Sequence, residues 1–328
     1  MSEHTVVVSD HDFADLDIER TVLSDVAEVR DAGGDLNENA SVDDALLDAD
    51  AVLNLRYSID RSLLERMDDC RIVARYGIGV DNVDLDAATD CGIYVTNVPD
   101  YCQEEVATHA MSLVLALVRG ITRYNQSVAA GEWDREVAAP IRRLSTQTLG
   151  IVGFGAIGRS VAARAEALGF DLLTSDPFVD EATAADHGAK LVSFDELIEQ
   201  ADTVTVHSPL TDETRGLFDD DAFDRMNESA VLVNVARGPI VDDDALARAL
   251  NSGAIAGAGL DVFSNEPPEV DHPLRDHEQV ITTPHVAWYS EEANDERRRE
   301  AAENVKAALC GERPKNAVNE DLNVTRQD

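Results

Sequence analysis

Residues 148–158, Thr-Leu-Gly-Ile-Val-Gly-Phe-Gly-Ala-Ile-Gly, constrain the fold more than any other part of the chain. They set a G-x-G-x-x-G, formed by Gly153, Gly155 and Gly158, between a short apolar strand and an alanine-rich helix. The next strand begins at Asp171 and is closed by an acid, Asp176. Three glycines at this spacing serve many tight turns. In the order strand, glycines, helix, strand, acid, they form the dinucleotide-binding fingerprint. The first glycine permits the turn, the second lets backbone approach a pyrophosphate, and the third lets the helix pack against the sheet. The helix opening at Ala156 and Ile157 aims unpaired N–H groups and a positive dipole end at the phosphates. Asp176 is placed to accept hydrogen bonds from the adenosine ribose, and its charge repels a 2′-phosphate. Pro177 and Phe178 follow it and bring no arginine. The expected cofactor is therefore NAD rather than NADP.

The fingerprint begins near the middle of 328 residues, a length that suits about two domains. Before it, apolar runs suggest strands at 5–8, 51–55, 71–74 and 93–96, separated by helical stretches. A helical pattern covers 103–119, with Val106, Ala110, Leu113, Val114 and Leu117 on one face. From the fingerprint onward, strands are expected at 148–153, 171–175, 203–207, 230–235, 255–260 and 279–283, six in all. A last helix spans about 291–309. This alternation indicates an α/β fold with parallel sheets: two Rossmann-like domains with a cleft between them, the first completed by the C-terminal helix.

Charge narrows the classes of partner. Asp and Glu number 65 against 27 Lys and Arg, a net charge of −38, and the only lysines are Lys190, Lys306 and Lys315. No basic face is available for phosphates, so nucleic-acid binding is not expected. The acids are dispersed rather than gathered in a tail, which suits a surface solvated in concentrated salt. The run Arg297-Arg298-Arg299 lies among acids in a helical pattern and is expected to be a solvated face carrying ion pairs. No continuous apolar run reaches the roughly 18 residues of a membrane span, and the N-terminus has no signal-like segment. A cytoplasmic location without membrane contact is expected. Cys70, Cys91, Cys102 and Cys310 are scattered, as expected of reduced thiols with no metal site.

Four residues fall at or just after strand ends, where ligands lie in an open parallel sheet: Arg237, Asp261, Glu266 and His285. Singly, each has an ordinary surface or core explanation. Together they suit hydride transfer between a 2-hydroxy acid and a nicotinamide. His285 is a base for the hydroxyl proton. Glu266 is a carboxylate to orient the ring and favour imidazolium. Arg237 is a fork for the substrate carboxylate.

These segments resemble the D-isomer-specific 2-hydroxyacid dehydrogenases over essentially the whole chain. The matching pieces are residues 75–84 (Arg-Tyr-Gly-Ile-Gly-Val-Asp-Asn-Val-Asp), the fingerprint, 207–211 (His-Ser-Pro-Leu-Thr), 234–238 (Asn-Val-Ala-Arg-Gly), 261–267 and Pro284-His285. The resemblance implies the roles just given for Arg237, Glu266 and His285. It implies that Gly77 and Ile78 help hold the substrate carboxylate and that Asp261 orients the nicotinamide carboxamide. It implies that Ser208, Pro209, Thr211, Val235, Ala236, His285, Ala287 and Trp288 line the cofactor. It also implies a discontinuous, flavodoxin-like substrate domain, 1–100 with 288–328, into which an NAD-binding domain, 101–287, is inserted. Members are commonly homodimers through the cofactor domain, and residues 131–136 look like the arm that reaches the partner.

Within the family, residues 97–107 and 285–291 look like the C-terminal binding protein branch, which includes NADH-sensing corepressors. Trp288 would narrow the pocket and favour an apolar substrate side chain. Arg56, at the end of an early strand, matches an arginine of phosphoglycerate-type members and keeps a phosphate substrate open. The chain, stopping near residue 328, is expected to carry no appended regulatory domain. Three activities stay in play: a dehydrogenase for some small 2-hydroxy or 2-oxo acid, D-3-phosphoglycerate dehydrogenase proper, and an NADH-sensing scaffold.

Overall fold

Short aliphatic runs, many of them β-branched, lay down strands that pair in parallel, and helices connect them. The computed structural model describes residues 4–32 and 39–319. The chain divides into two units, Met1–Tyr101 with Ser290–Asp328, and Cys102–Tyr289. The second crossing falls after Tyr289 rather than after residue 287. Trp288 stays with the second unit because its indole N–H donates to His285 O at 2.9 Å and its ring packs edge-on against Tyr289.

The first unit holds β1 (His4–Val8), β2 (Ala27–Asp31), β3 (Ala51–Asn54), β4 (Ile72–Arg75) and β5 (Tyr94–Thr96). Their order is β2-β1-β3-β4-β5, all parallel, the flavodoxin-like arrangement. Val7, Leu46, Val52, Leu64, Met67, Val73, Ala87 and Ile93 form its core. The pattern reading missed β2: Ala-Glu-Val-Arg-Asp lies at the sheet edge with only Ala27 buried, so it lacks an apolar run.

The helix Glu291–Leu309 packs against β3, β4 and the helix Asp17–Leu23, and its Ala293, Ala301, Ala302, Val305 and Leu309 are buried. Its arginine run corrects the expectation of a solvated face. Arg297 and Arg298 are buried, and only Arg299 is exposed. Arg298 makes a two-pronged contact with Glu19, at 2.9 and 2.8 Å, and Glu19 itself is fully buried. Arg297 reaches Asp12 at 2.8 Å, and both guanidinium groups lie over the Phe13 ring. Ion pairs are present as expected, but the cations are interior, where charge must be matched and hydrogen-bonded.

The second unit holds β6 (Thr148–Val152), β7 (Asp171–Ser175), β8 (Ala189–Leu191), β9 (Thr203–Val206), β10 (Val231–Asn234), β11 (Gly257–Leu260) and β12 (Val280–Thr282). The order is β12-β11-β10-β9-β6-β7-β8, again parallel. This sheet has seven strands where six were expected. The missed one, β8, is a three-residue edge strand with a lysine at its centre. With it, the first six strands in chain order take the 3-2-1-4-5-6 arrangement, and β12 is the addition. The order reverses between β6 and β9, where a nucleotide crevice is expected. Among the described residues no single helix is long and apolar enough to cross a membrane.

Candidate active site

The fingerprint turn is built by exclusion. Gly153 has φ of 89°, and a Cβ there would lie 2.5 Å from Ser208 N, so the turn must run flush against the loop after β9. A Cβ on Gly158 would collide with Gly153 O, while one on Gly155 would meet nothing. The open side of the turn is thus at Gly155 and at exposed Ala156. The helix Ala156–Leu168 starts there with no side-chain cap. Its first N–H groups and the dipole end form an anion site.

Asp176 is fixed beside it. One carboxylate oxygen accepts from Phe154 N at 2.7 Å and the other from Phe178 N at 2.8 Å, which leaves lone pairs for a ribose. Ser208 is buried, and its hydroxyl has no hydrogen-bond partner among the described residues. An uncapped helix start, an open glycine, an orphaned hydroxyl and a fixed carboxylate fit a dinucleotide. Thr211 and Pro209 serve mainly their own turn: Thr211 N donates to Thr214 Oγ1 at 2.8 Å, and that hydroxyl donates to Pro209 O at 2.7 Å. Val235 and Ala236 follow β10 in a turn held by Asn234, whose amide accepts from Ala236 N and donates to Arg237 O.

The catalytic candidates gather at the ends of β10, β11 and β12. His285 Nδ1 lies 2.6 Å from Glu266 Oε2. A carboxylate can only accept, so Nδ1 carries the proton and Nε2 is the nitrogen available for a substrate. The second Glu266 oxygen accepts from Phe263 N at 3.1 Å. Partial burial pushes the Glu266 carboxyl upward. The His285 hydrogen bond and charge, the Phe263 N–H and the nearby Arg237 charge outweigh it, leaving the carboxyl below its usual range. Arg237, half-buried just after β10, donates to Ala236 O at 2.7 Å. Gly238 makes this grouping possible. A Cβ there would overlap Phe263 C and O, so the chain carrying Glu266 crosses directly over it.

His285 has φ of 54°, the one positive value among described non-glycine residues. That conformation is uncommon for a residue with a Cβ. It is held by Asp261, which is 1% exposed. Asp261 O accepts from His285 N at 2.8 Å. Its carboxylate accepts from Thr283 Oγ1 at 2.6 Å and from Val286 N and Ala287 N, each at 2.9 Å. The residue expected to orient a carboxamide is therefore also the anchor of the histidine loop.

In the first unit, Arg56, Gly77 and Ile78 are brought together by residues the sequence reading did not single out. Asp10, after β1, accepts from Leu55 N at 3.0 Å and from Arg56 N at 2.7 Å. Arg75, closing β4, donates to Leu55 O at 2.6 Å and Gly79 O at 2.9 Å, tying the two loops. Val98 N and the Asn97 amide bind the carbonyls of Gly77 and Ile78. The Arg56 guanidinium, largely exposed, stands 3.7 Å from Asp12. All these loops leave the carboxyl ends of parallel strands.

The family model described as "D-isomer specific 2-hydroxyacid dehydrogenase, NAD binding domain" matches residues 111–287. The chain belongs to the D-isomer-specific 2-hydroxyacid dehydrogenases. It is 40% identical over 307 residues to a D-3-phosphoglycerate dehydrogenase of Mycobacterium leprae, covering 93% of this chain and 57% of that one. It is 40% identical over 268 residues to one of Archaeoglobus fulgidus, covering 82% and 51%. The chain thus spans about half the length of the curated relatives it matches. Among solved structures, a D-lactate dehydrogenase of Aquifex aeolicus, complexed with NAD and lactic acid, superposes with a TM-score of 0.85 at 29% identity, covering 94% of this chain and 96% of that one. The TT0316 protein of Thermus thermophilus superposes with a TM-score of 0.86 at 31% identity, covering 96% and 99%. Membership makes the second unit the family's NAD-binding domain. It gives the fingerprint turn and Asp176 a family context that the turn geometry alone lacks.

Proposed function

We propose that this chain is an NAD-dependent oxidoreductase interconverting a D-2-hydroxy acid and its 2-oxo acid. The observation that carries the reading is the 2.6 Å His285–Glu266 pair beside Arg237, at the strand ends of a family NAD-binding domain. The uncapped helix start at Ala156 with Asp176 would hold NADH, which would supply the hydride for the carbonyl carbon, and NAD would accept it in the reverse direction. Arg237 binds the substrate carboxylate through its fork and polarises the adjacent carbonyl. Protonated His285 delivers the Nε2 proton to the carbonyl oxygen as it becomes a hydroxyl; in oxidation the same nitrogen removes it. Glu266 holds Nδ1–H and stabilises the imidazolium. The test is NADH oxidation in high salt with pyruvate, glyoxylate, hydroxypyruvate and 3-phosphohydroxypyruvate, on the intact chain and on His285→Ala. The variant is expected to bind NADH normally and to lose turnover. Intact NADH binding with no turnover of any acid by the native chain refutes the enzyme reading and favours an NADH-sensing scaffold.

A phosphate-bearing substrate is the second reading. It is favoured by Arg56, exposed and loosely paired, and by the relatives named D-3-phosphoglycerate dehydrogenase. Preference for 3-phosphohydroxypyruvate that vanishes in Arg56→Ala supports it.

A homodimer through the second unit belongs to the same proposal, supported by Trp133, 93% exposed in the arm 131–136. So does work in the concentrated salt of a halophile's cytoplasm, supported by the dispersed acid excess. Activity that falls on desalting and returns on adding salt is the expected outcome; full activity at low ionic strength overturns it.

A further inference from the structure

The loop carrying His285 is anchored by Asp261, and Asp261 is in turn held from an element far away in sequence. His109 lies within the helix Gln103–Val118, whose Ala110, Leu113 and Val114 are buried. Its Nε2 is 3.0 Å from Thr283 Oγ1. The Thr283 hydroxyl must donate to Asp261, at 2.6 Å, because the carboxylate only accepts. It therefore accepts from His109, which fixes the Nε2–H tautomer. The same nitrogen stands 3.7 Å from Asp261 Oδ1. The result is a relay of donors from a packed helix to the carboxylate that receives Val286 N and Ala287 N.

We propose that His109 is a positioning residue for His285. Through Thr283 it fixes the Asp261 carboxylate, and through that carboxylate the left-handed loop that aims the imidazole. The inference rests on the assignment of His285 as the proton-transfer group. It requires no contact between His109 and substrate or cofactor.

A residue that merely filled space would be replaceable by leucine without moving kcat apart from KM. A positioning residue acts on the geometry of the proton-transfer group, where a misplacement near 1 Å costs on the order of 100-fold. The experiment compares intact chains carrying His109→Leu, His109→Gln, Thr283→Val and Thr283→Ser. Gln keeps a donor at the Nε2 position and Ser keeps the hydroxyl. His109→Leu and Thr283→Val are expected to lower kcat about tenfold or more, with KM for NADH and the oxo acid within about twofold. His109→Gln and Thr283→Ser are expected to recover most of that loss. Amide hydrogen exchange in residues 284–289 is expected to quicken about tenfold in His109→Leu and Thr283→Val, and not elsewhere. Unchanged kcat, no rescue by the conservative variants, or unchanged exchange in 284–289 overturns the proposal. If the native chain reduces no 2-oxo acid, the functional reading fails. The exchange measurement then decides the loop-positioning role by itself.

Discussion

Gly238→Ala is the sharpest perturbation this structure offers, because a single methyl group acts on the acid–base pair without touching it. The added Cβ would sit about an ångström inside the closest separation real Cβ atoms keep from Phe263 C and O. Backbone cannot yield as a side-chain tip does, so the strand-end loop from Phe263 onward must retreat. Glu266 lies three residues along that loop, and its 2.6 Å contact with His285 opens. Misplacement of about 1 Å at a catalytic group costs on the order of 100-fold, equivalent to about 2.7 kcal/mol of barrier. Steady-state kinetics should show kcat down by about that factor, with NADH binding within about threefold. Glu266→Gln removes the same interaction by a different route. Combining the two should cost little more than either alone, since both act through one contact. A Gly238→Ala variant retaining kcat within about threefold of the native chain, or full additivity in the double variant, refutes the reasoning.

Three further outcomes follow from other parts of the molecule. Asp176→Ala should improve NADPH binding at least about tenfold while weakening NADH, as measured by fluorescence titration, because the charge that repels a 2′-phosphate is gone; an unchanged preference sinks that role. The Glu266 carboxyl is held below its usual range, so it keeps its charge as pH falls until below that range. The stability it lends is present above the unfolded value and is lost only in stronger acid. Oxo-acid reduction should therefore show no acid limb between about pH 5 and 7, and a loss of rate as pH falls through about 6 contradicts the assignment. Arg298→Met strands the buried Glu19 carboxylate and should cost about 3–5 kcal/mol in denaturant unfolding, whereas adding Glu19→Leu should restore much of it. A loss under about 1 kcal/mol for the single change refutes the matched-burial account.

The fingerprint and the strand-end residues were legible because their chemistry is local: a glycine turn, an acid and a histidine announce themselves wherever they stand. The helix Glu291–Leu309 was legible to its ends, being long and periodic. The edge strands β2 and β8 were not, since each has a charged residue among its few positions, buries only its alanine and carries no apolar run. The arginine pair was read as solvated because helical spacing gives the face a residue occupies, not what packs on that face. Only the fold brings Glu19 and Phe13 to it. Gly238 appeared merely as a motif letter; its necessity lies in backbone crossing from another segment. His109 and Asp10 were invisible for the same reason, each acting on a loop far away in sequence.

Arg297 and Arg298 are spent inside a chain that has few cations to spend. Arg75 and Arg237, half-buried, are likewise committed to loops and site. Among the described residues the buried acids Asp10, Glu19 and Asp261 offset Arg297 and Arg298, so the outer surface keeps the acid excess of the sequence. Dissolved ions screen exposed charge strongly and enclosed charge weakly. Changing the salt concentration should thus retune the repulsion across the outer shell while leaving the Arg298–Glu19 clasp nearly indifferent. The molecule carries two electrostatic systems, one answering to its medium and one insulated from it.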